Sequence, residues 1–197
     1  MMTNMENSDV IQEKQHVRKK LLELRACQDK KSLSEKSHNI CKELLKTEQF
    51  SKATVIFGYY PIRNEVDVVP VLEAAFSLNK KVALPKCIDR HGNMLFYLIN
   101  SFDDLIPGAF NIPEPKEGLK EIYPDEGLML VPGVGFDERC FRLGYGGGYY
   151  DRFIGSQKGV SYIAPAYEFQ ICSIPLEAHD MCTDMVITEK RIIYNRH

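Results

Sequence analysis

The glycine-rich segment at residues 142–152 constrains the fold and function of this chain more than any other stretch. It reads RLGYGGGYYDR and follows an apolar run at 128–132 and a turn-rich stretch at 133–137. A strand, a glycine loop and a short amphipathic segment form the layout of an anion cradle. In such a cradle, backbone N–H groups and the positive end of a helix point at one place. The segment therefore predicts a phosphate-binding loop beyond the end of a strand.

The side chains around this loop support an anionic ligand. Glycine occupies four of five successive positions, as Gly144, Gly146, Gly147 and Gly148. Arg142 and Arg152 flank the loop with guanidinium groups that suit phosphate, and Asp151 adds a carboxylate for a phosphate-bound Mg²⁺. The loop lacks the Lys-Ser/Thr of a Walker loop, and Tyr149 stands where a dinucleotide fingerprint needs glycine. A glycine-rich turn without a ligand stays the alternative.

Composition narrows the class of protein. A length of 197 residues suits one domain, and we expect residues 9–197 to form it after a frayed stretch at residues 1–8. A formal net charge of −2 argues against a nucleic-acid partner. The six cysteines are scattered, as free thiols in a reducing cytosol would be. The chain lacks an apolar run of membrane-spanning length and its first residues are unlike a signal peptide. We therefore predict a cytoplasmic protein without a membrane partner.

Hydrophobic periodicity predicts helices that alternate with strands. Helices are predicted at 9–27, after a cap at Ser32 or Ser34, and at 68–78. In the first helix, Val17, Leu21 and Leu24 form an apolar stripe at helical spacing. The stripe predicts that this face of the helix is buried.

The strand pattern predicts one α/β domain with the sheet inside and helices outside. Strands are expected at 54–60, 81–85, 94–99, 128–131, 159–164, 184–188 and 191–194. The strand–helix–strand spacing across residues 54–85 favours a parallel crossover. Residues 101–126 hold four prolines and predict a long surface loop. In a sheet of this kind, ligands bind beyond the carboxyl ends of the strands.

The first helix also carries a basic edge. Lys14 and Arg18 lie one turn apart, and Arg25 lies two turns further along the same side. Like charges one turn apart are mildly destabilising unless an anion lies between them. A phosphate site and an ordinary solvated basic face are both compatible with this edge.

Other candidate residues lie near predicted strand ends. Glu65 follows the first strand, and Asp180 and Asp184 lie near a late one, where either carboxylate could hold Mg²⁺ together with Asp151. Each acid has an ordinary alternative, as an ion pair or as a cap of a turn or helix. Aromatic residues that could stack on a flat ring, or else fill the core, are Tyr59, Tyr60, Phe96, Tyr149, Tyr150 and Phe169.

The chemistry best matched by these residues is phosphoryl transfer. Chain order supports no Ser-His-Asp arrangement, and the five histidines show no metal-ligand spacing. Hydrolysis by a nucleophilic side chain is therefore disfavoured. Phosphoryl transfer needs positioning and charge neutralisation rather than a reactive side chain, and a glycine cradle with arginines and acids can supply both.

Two stretches carry a resemblance to a known family: VPGVGFD at 131–137 and RLGYGGGYYDR at 142–152. They resemble the signature of 5-formyltetrahydrofolate cyclo-ligase, also called methenyltetrahydrofolate synthetase, and the likeness spans nearly the whole chain. Shorter matches are Lys14 with Arg18, 64–67, 84–86, 114–115, 168–170 and 179–180. Cys140 stands where the family usually has glycine, and Ala164-Pro165-Ala166 replaces Gly-x-Ala. Both departures suggest a local backbone adjustment, and neither removes a charged group.

The resemblance implies an ATP- and Mg²⁺-dependent enzyme. It would convert 5-formyltetrahydrofolate to 5,10-methenyltetrahydrofolate and release ADP and phosphate, by phosphorylation of the formyl oxygen and attack of N10. The implied fold is a three-layer α/β/α sandwich with a mostly parallel sheet, similar to the sugar-phosphate isomerase and CoA-transferase class. The implied substrates are small molecules, with or without a polyglutamate tail on the folate. A monomer or weak homodimer is expected.

The resemblance also implies roles for individual residues. The implied ATP-binding residues are Lys14, Arg18, Arg142, Gly144, Tyr145, Gly146, Gly147, Gly148 and Tyr149. The implied folate-binding residues are Tyr60, Glu65, Met94, Phe96, Glu114 and Tyr150, with Glu65 near the pterin or formyl group. Asp151 and Asp184 would bind the metal, with Asp180 as the alternative to Asp184. Arg142, Tyr150 and Asp151 would be catalytic.

Two other functions stay open. A relative of phosphosugar isomerases or acyl-CoA transferases would share the fold but need no ATP hydrolysis. A regulatory module that binds folate or nucleotide would show no turnover.

Overall fold

The computed structural model describes residues 7–89, 92–108, 112–151, 154, 159–177 and 180–196. Helix α1 spans Asn7–Ala26, so the end of the stretch expected to be frayed is helical. Residues 1–6 lie outside the described part, as do Arg152 and His179, which the sequence had singled out. Within the described residues, no helix is long and apolar enough to cross a membrane.

Three further α-helices follow α1 within the described residues. They are α2 (Lys30–Leu44), α3 (Glu48–Lys52) and α4 (Val69–Ser77). The carboxylate of Asp29 caps α2 by accepting a hydrogen bond from the backbone nitrogen of Ser32 at 2.8 Å. The prediction of a serine cap is therefore wrong, since the helix begins earlier, where an aspartate meets the same backbone donors. Helix α3 was not predicted, because five residues carry too little periodicity to be read as a helix.

The face of α1 that packs against the protein is the basic one. Lys14, Leu21 and Arg25 are only 8%, 5% and 2% exposed, whereas Leu24 is 39% exposed. Leu24 was thus wrongly predicted to be buried. The buried residues share one face at helical spacing. On this face, Lys14 contacts Asp180 and Arg25 contacts Tyr145 of the glycine loop. An apolar stripe could not reveal this polar packing.

Twelve strands are described. They are β1 (Val55–Phe57), β2 (Lys81–Cys87), β3 (Met94–Ile99), β4 (Leu105–Pro107), β5 (Pro113–Pro115), β6 (Glu121–Ile122), β7 (Glu126–Leu130), β8 (Gly135–Phe136), β9 (Arg142–Leu143), β10 (Gly159–Pro165), β11 (Met185–Ile187) and β12 (Ile192–Tyr194). Eight of these form one sheet in the order β12-β11-β10-β7-β1-β2-β3-β6. The predicted loop at 101–126 contains three short strands, β4 to β6.

The central strands of the large sheet run parallel. β1 pairs with β2 and with β7, and β10 pairs with β7 and with β11, all in parallel. β3, β6 and β12 are antiparallel additions at the edges. The α/β class with a mostly parallel central sheet is confirmed. The likeness to the sugar-phosphate isomerase and CoA-transferase class stays a prediction.

Both faces of the sheet are buried. Successive side chains of a strand point to opposite faces, so Ile56 joins the cluster formed with α2 and α4, represented by Leu44 and Leu72. Its neighbour Phe57 packs on the opposite face in an edge-to-face contact with Phe96, with ring centroids 5.2 Å apart. Burial on both sides explains why the central strands are continuous apolar runs.

The segment after the glycine loop lies only partly within the described residues. Residues 149–151 and 154 form turns, and Ile154 N donates to Tyr150 O at 3.1 Å. The described residues thus show a hydrogen-bonded turn, and the helix predicted after the loop stays a prediction. Within the described residues, the backbone N–H groups of the loop and the nearby cations are the donors available to an anion.

The two departures from the resembled family lie in ordered backbone. Cys140 is fully buried and has φ of 65°, a left-handed conformation that glycine adopts most easily. Pro165 ends β10 opposite Ile187, and Ala166 N donates to Ile187 O at 2.9 Å. Cys140 thus adopts the left-handed conformation without a glycine, and the backbone hydrogen bonds between β10 and β11 continue past Pro165.

Candidate active site

Two concave sites open at the carboxyl edge of the sheet, where β1 and β7 end. We call the first, of about 320 Å³, the apolar cavity; its lining includes Tyr59, Tyr60, Glu65, Met94, Glu114 and Tyr150. We call the second, of about 440 Å³, the polar groove; its lining includes Lys14, Arg18, Gly146, Asp151, Glu177 and Asp180. Their position is the one that a parallel sheet favours for ligands.

The two sites meet at Arg142 and the glycine loop. Arg142, Gly144, Tyr145 and Gly148 line both of them. The Arg142 guanidinium donates to the carbonyl of Pro132 at 3.1 Å and to Asp151 at 2.5 Å. In the described part of the chain, its Nε is the buried side-chain polar atom that has no partner. An orphaned guanidinium donor at this junction favours an anionic ligand, because buried donors normally find acceptors.

The glycine loop is shaped by backbone that other residues rarely adopt. Gly146 and Gly148 have φ of 102° and 68°, which glycine takes without steric cost. Arg18 of α1 ties the loop to the helix, because its Nε donates to the carbonyl of Gly144 at 2.8 Å. No carboxylate of the described residues pairs with Arg18. Burial lowers the pKa of Arg18, yet arginine stays charged at neutral pH, so a cation remains available in the groove.

Lys14 of α1 lies between two acids of the late segment. Its Nζ is 2.6 Å from Asp180 Oδ2 and 2.7 Å from Glu177 Oε2. Burial alone would lower the pKa of Lys14, but hydrogen bonds and charge attraction from Asp180 and Glu177 outweigh it and raise the pKa. The amine of Lys14 therefore stays protonated, and it links α1 to Glu177 and Asp180, which line the groove.

The charges of the groove suit a metal-bound triphosphate. Its described lining holds three cations and three acids, namely Lys14, Arg18, Arg142, Asp151, Glu177 and Asp180. The cations match phosphate oxygens, and the acids match a divalent cation. Within the described residues, no cluster of three or more acidic, histidine or cysteine side chains could hold a metal alone. Mg²⁺ is ordinarily held by one or two carboxylates, phosphates and water, so Asp151 and Asp180 fit it.

Asp184 does not lie in the groove. Its side chain is exposed, and its Oδ2 accepts a hydrogen bond from Tyr162 N of β10 at 2.7 Å. The geometry therefore favours Asp180, the alternative that the sequence left open. Asp184 precedes β11, and β11 lies opposite the second half of β10, so its carboxylate binds the sheet backbone instead.

Two residues expected to bind ATP line the apolar cavity instead of the polar groove. Gly147 and Tyr149 line the apolar cavity and not the groove. The hydroxyl of Tyr149 donates to the carbonyl of Asp89 at 2.8 Å, which ties the loop to the end of β2. The glycine loop thus separates the two sites, and it lines the polar groove on one side and the apolar cavity on the other.

Among the six residues expected to bind folate, Phe96 is misplaced. It is 1% exposed and packs in the core on Phe57, because it lies on the same face of β3 as Met94 but two residues further from the strand end at the opening. Tyr60, Glu65, Met94, Glu114 and Tyr150 do line the cavity. Burial raises the pKa of the Tyr150 hydroxyl, which stays neutral there. The Arg142 guanidinium carbon lies 5.7 Å from the Tyr150 ring centroid.

Glu65 is a buried acid at the wall of the apolar cavity. It is 8% exposed, and its Oε1 accepts from the hydroxyl of Tyr145 at 2.8 Å while its Oε2 accepts from Ile62 N at 3.1 Å. Burial raises its pKa, although these two hydrogen bonds and the charges of Arg25 and Arg63 oppose the rise. The carboxylate is therefore a fixed acceptor that faces a mostly apolar space.

Two residues near the site were not identified as functional from sequence. Glu177 contacts Lys14, and no local pattern distinguished it from other surface acids. Arg25 was noted as part of the basic edge, but its burial at 2% exposure was not foreseen. The spacing of Lys14, Arg18 and Arg25 was the available signal, since buried cations on one face require buried partners.

Comparisons with known proteins point to one family. The family model described as 5-formyltetrahydrofolate cyclo-ligase matches residues 10–189. The chain is 30% identical to the 5-formyltetrahydrofolate cyclo-ligase of Mus musculus, over 76% of this chain and 80% of the other. It is also 30% identical to that of Escherichia coli K12, over 65% of this chain and 74% of the other. The solved structure of Aquifex aeolicus 5,10-methenyltetrahydrofolate synthetase superposes with a TM-score of 0.81 at 33% identity, covering 93% of each chain.

Proposed function

Since the chain belongs to the 5-formyltetrahydrofolate cyclo-ligase family, we propose that it converts 5-formyltetrahydrofolate to 5,10-methenyltetrahydrofolate with consumption of ATP and with Mg²⁺. Family membership makes the protein an enzyme of the cyclo-ligase type. We propose the ATP and metal requirements, the mechanism and the residue roles from the geometry of the site.

The observation that carries the proposal is the junction of the two sites at Arg142. The polar groove suits a triphosphate, and the mostly apolar cavity suits a flat ring system with a few polar edges. Because Arg142 and Gly144 line both sites, the end of a triphosphate and a group of the folate could meet there. A reaction between two bound substrates requires such proximity, since holding them together supplies much of the rate gain.

The proposed reaction has two chemical steps. The formyl oxygen attacks the γ-phosphorus of ATP, the bond from that phosphorus to the bridging oxygen breaks, and ADP leaves. N10 then attacks the formyl carbon and loses its proton, while phosphate departs with the former formyl oxygen. A formamide oxygen is a poor leaving group, and its phosphorylation is what makes departure possible. Arg142 would neutralise charge that develops on the transferred group.

The groove residues have proposed roles in holding the triphosphate. Arg18 and the guanidinium of Arg142 would bind phosphate oxygens, and Lys14 would exchange an acidic partner for phosphate. Asp151 and Asp180 would hold Mg²⁺, which when bound supplies charge neutralisation between phosphates. In the cavity, Tyr60, Met94 and Tyr150 would contact the rings, while Glu65 and Glu114 would accept from N–H donors.

The first prediction concerns the overall reaction. Purified protein with ATP, Mg²⁺ and 5-formyltetrahydrofolate should release phosphate and form the methenyl product, followed by its ultraviolet absorbance. Phosphate release should stop when the folate is omitted, and product formation should stop without ATP. Release without any folate requirement, or no turnover with all three present, would refute the proposal. Product formation by the enzyme without ATP would refute the ATP requirement and the proposed phosphorylation step.

A second prediction distinguishes the two late acids. Asp180→Asn should raise the Mg²⁺ concentration for half-maximal activity by at least about tenfold, because even outer residues of metal sites change affinity by 10–100-fold. Asp184→Asn is the matched control, since its side chain bonds the backbone of β10, and its Mg²⁺ requirement should match wild type. The opposite pattern would restore Asp184 as the ligand. Circular dichroism of both variants verifies the fold.

We also propose three properties of the whole protein. They comprise a cytoplasmic location, a monomer or weak homodimer, and tolerance of a polyglutamate tail. Gel filtration with light scattering tests the oligomeric state, and substrate competition tests the tail.

A further inference from the structure

A line of hydrogen bonds connects buried Arg25 with Glu65 at the apolar cavity. Arg25 is 2% exposed, and its Nη2 donates to the hydroxyl of Tyr145. The same hydroxyl donates to Glu65 Oε1 at 2.8 Å. The Arg25 guanidinium carbon also lies 5.6 Å from the Tyr145 ring centroid. A residue of α1 that is absent from the described lining of both sites is thereby joined to an acid that lines the cavity.

Chemistry fixes the direction of this line. Arginine carries donors only and an ionised carboxylate accepts only. The Tyr145 hydroxyl must therefore accept from Arg25 and give its single proton to Glu65. The second carboxylate oxygen of Glu65 accepts from Ile62 N. Both oxygens of Glu65 are thus held, and its orientation toward the cavity is determined by donors from two separate segments.

Given the proposed function, we propose that Arg25 is a positioning residue that acts through Tyr145 to hold Glu65 ionised and aimed at an N–H donor of the folate. Arg25 itself lines neither site among the described lining residues. Its action would therefore be on the acceptor and not on the substrate. We call the set Arg25, Tyr145 and Glu65 the Arg25 relay.

Charge and burial explain why such a relay is needed. An isolated carboxylate is disfavoured in an apolar wall, and the titratable or charged groups that face Glu65 are Arg25, Arg63, Tyr59, Tyr145 and Tyr150. The three tyrosines are neutral near pH 7. Arg63 is exposed, so water and salt screen its charge. The charge of buried Arg25 is screened least. The Tyr145 hydroxyl, which lies between Arg25 and Glu65, passes its stabilising effect to one carboxylate oxygen of Glu65.

A second hydrogen-bonded tyrosine supplies a matched control. The hydroxyl of Tyr167 donates to the backbone carbonyl of Glu65 at 3.1 Å and lies 2.9 Å from the hydroxyl of Ser37. Tyr167 is buried like Arg25 and Glu65, at 1% exposure, but it contacts the Glu65 backbone rather than its carboxylate. Removal of either hydroxyl takes a hydrogen bond from the segment that carries Glu65. Only removal of the Tyr145 hydroxyl takes one from the Glu65 carboxylate.

The test compares Tyr145→Phe with Tyr167→Phe. The dissociation constant of 5-formyltetrahydrofolate is measured without ATP, by calorimetry, across a range of pH. Tyr145→Phe should weaken binding about three- to tenfold, the usual effect of one lost hydrogen bond. It should also move the acid limb of binding to higher pH, because loss of the donor raises the pKa of Glu65 further. Tyr167→Phe should leave the position of that limb unchanged.

Two further variants test whether the effect passes through the relay. In a Glu65→Gln background, Tyr145→Phe should add little to the loss of folate binding, since members of one network are not additive. Arg25→Lys keeps the charge but not the fork, and it should shift the acid limb in the same direction as Tyr145→Phe. If Arg25→Lys fails to fold, the comparison of the two tyrosine variants decides.

The outcomes separate this inference from the proposed function. Equal shifts of the acid limb in Tyr145→Phe and Tyr167→Phe, or additive losses in the Glu65→Gln background, overturn the relay even if the wild-type enzyme is fully active. A folded Arg25→Lys with an unshifted limb removes Arg25 from it. Absence of turnover in wild type with ATP, Mg²⁺ and folate would instead refute the proposed function.

Discussion

Arg142→Ala should lower kcat/KM for ATP by about 10²- to 10³-fold, the effect of removing one donor that stabilises developing charge. The reason is position. Arg142 is 7% exposed, lines both sites and keeps one buried donor that has no partner within the described part of the chain. Alanine removes every guanidinium donor at the junction, so the loss should fall on kcat as well as KM. Steady-state phosphate release at saturating folate measures it.

Two other arginine variants sharpen this prediction. Arg142→Lys keeps the charge without the planar fork, so its activity should fall between wild type and alanine. Arg139→Ala is the control, because Arg139 has a half-exposed side chain and pairs with Asp137 outside both sites, and its kinetics should match wild type. Kinetics of Arg142→Ala equal to those of Arg139→Ala would exclude Arg142 from phosphate binding. Thermal unfolding of each variant separates activity from loss of fold.

Glu65→Gln should raise the KM for 5-formyltetrahydrofolate by about 10- to 100-fold while the KM for ATP changes little. Hydrogen bonds to charged groups contribute about 1.5–3 kcal/mol, and a neutral amide cannot replace the carboxylate as an acceptor at both oxygens. The effect should be confined to the folate, because Glu65 lines the apolar cavity and not the groove. A selective rise in the KM for ATP would contradict this prediction and would place Glu65 at the ATP site instead.

The pH dependence of Glu65→Gln provides an independent measure. Burial raises the pKa of Glu65, so the wild-type carboxylate takes up a proton at a pH above the ordinary glutamate range. Activity that needs the carboxylate is thus present at higher pH and lost as pH falls through this raised pKa. The acid limb of kcat/KM for the folate should vanish in Glu65→Gln and persist in Glu117→Gln, whose exposed side chain lies outside the cavity. Enzyme-free blanks at each pH correct for acid chemistry of the folate.

Much of the fold was predictable because its signals are local. The β3 boundaries at 94–99 agree with the prediction, and β7 and β10 differ from theirs by at most two residues at either end. Continuous apolar runs bounded by turns predict buried strands from the pattern of neighbours alone. The cap of α2 was misassigned, since Asp29 and the two serines are all good cap residues and only helix length decides among them.

The partners within the site were less predictable because they are distant in sequence. Lys14 contacts Asp180 across 166 positions, and Arg25 contacts Tyr145 across 120. Asp180 and Asp184 are equally acidic and four residues apart, so residue type could not separate them. The path of the chain before β11 separates them, because it places Asp180 in the groove and Asp184 against the backbone of β10.

The sequence by itself determined the α/β class, the glycine cradle and the acids and cations available for phosphoryl chemistry. These depend on residue type and on spacing over a few turns or strands, where backbone geometry is regular. Only the tertiary structure decided that the basic face of α1 packs inward, that Arg142 stands between two sites, and that Arg25 reaches Glu65. The physical reason is that a buried charge acquires its role from its partners, and packing of distant segments supplies those partners.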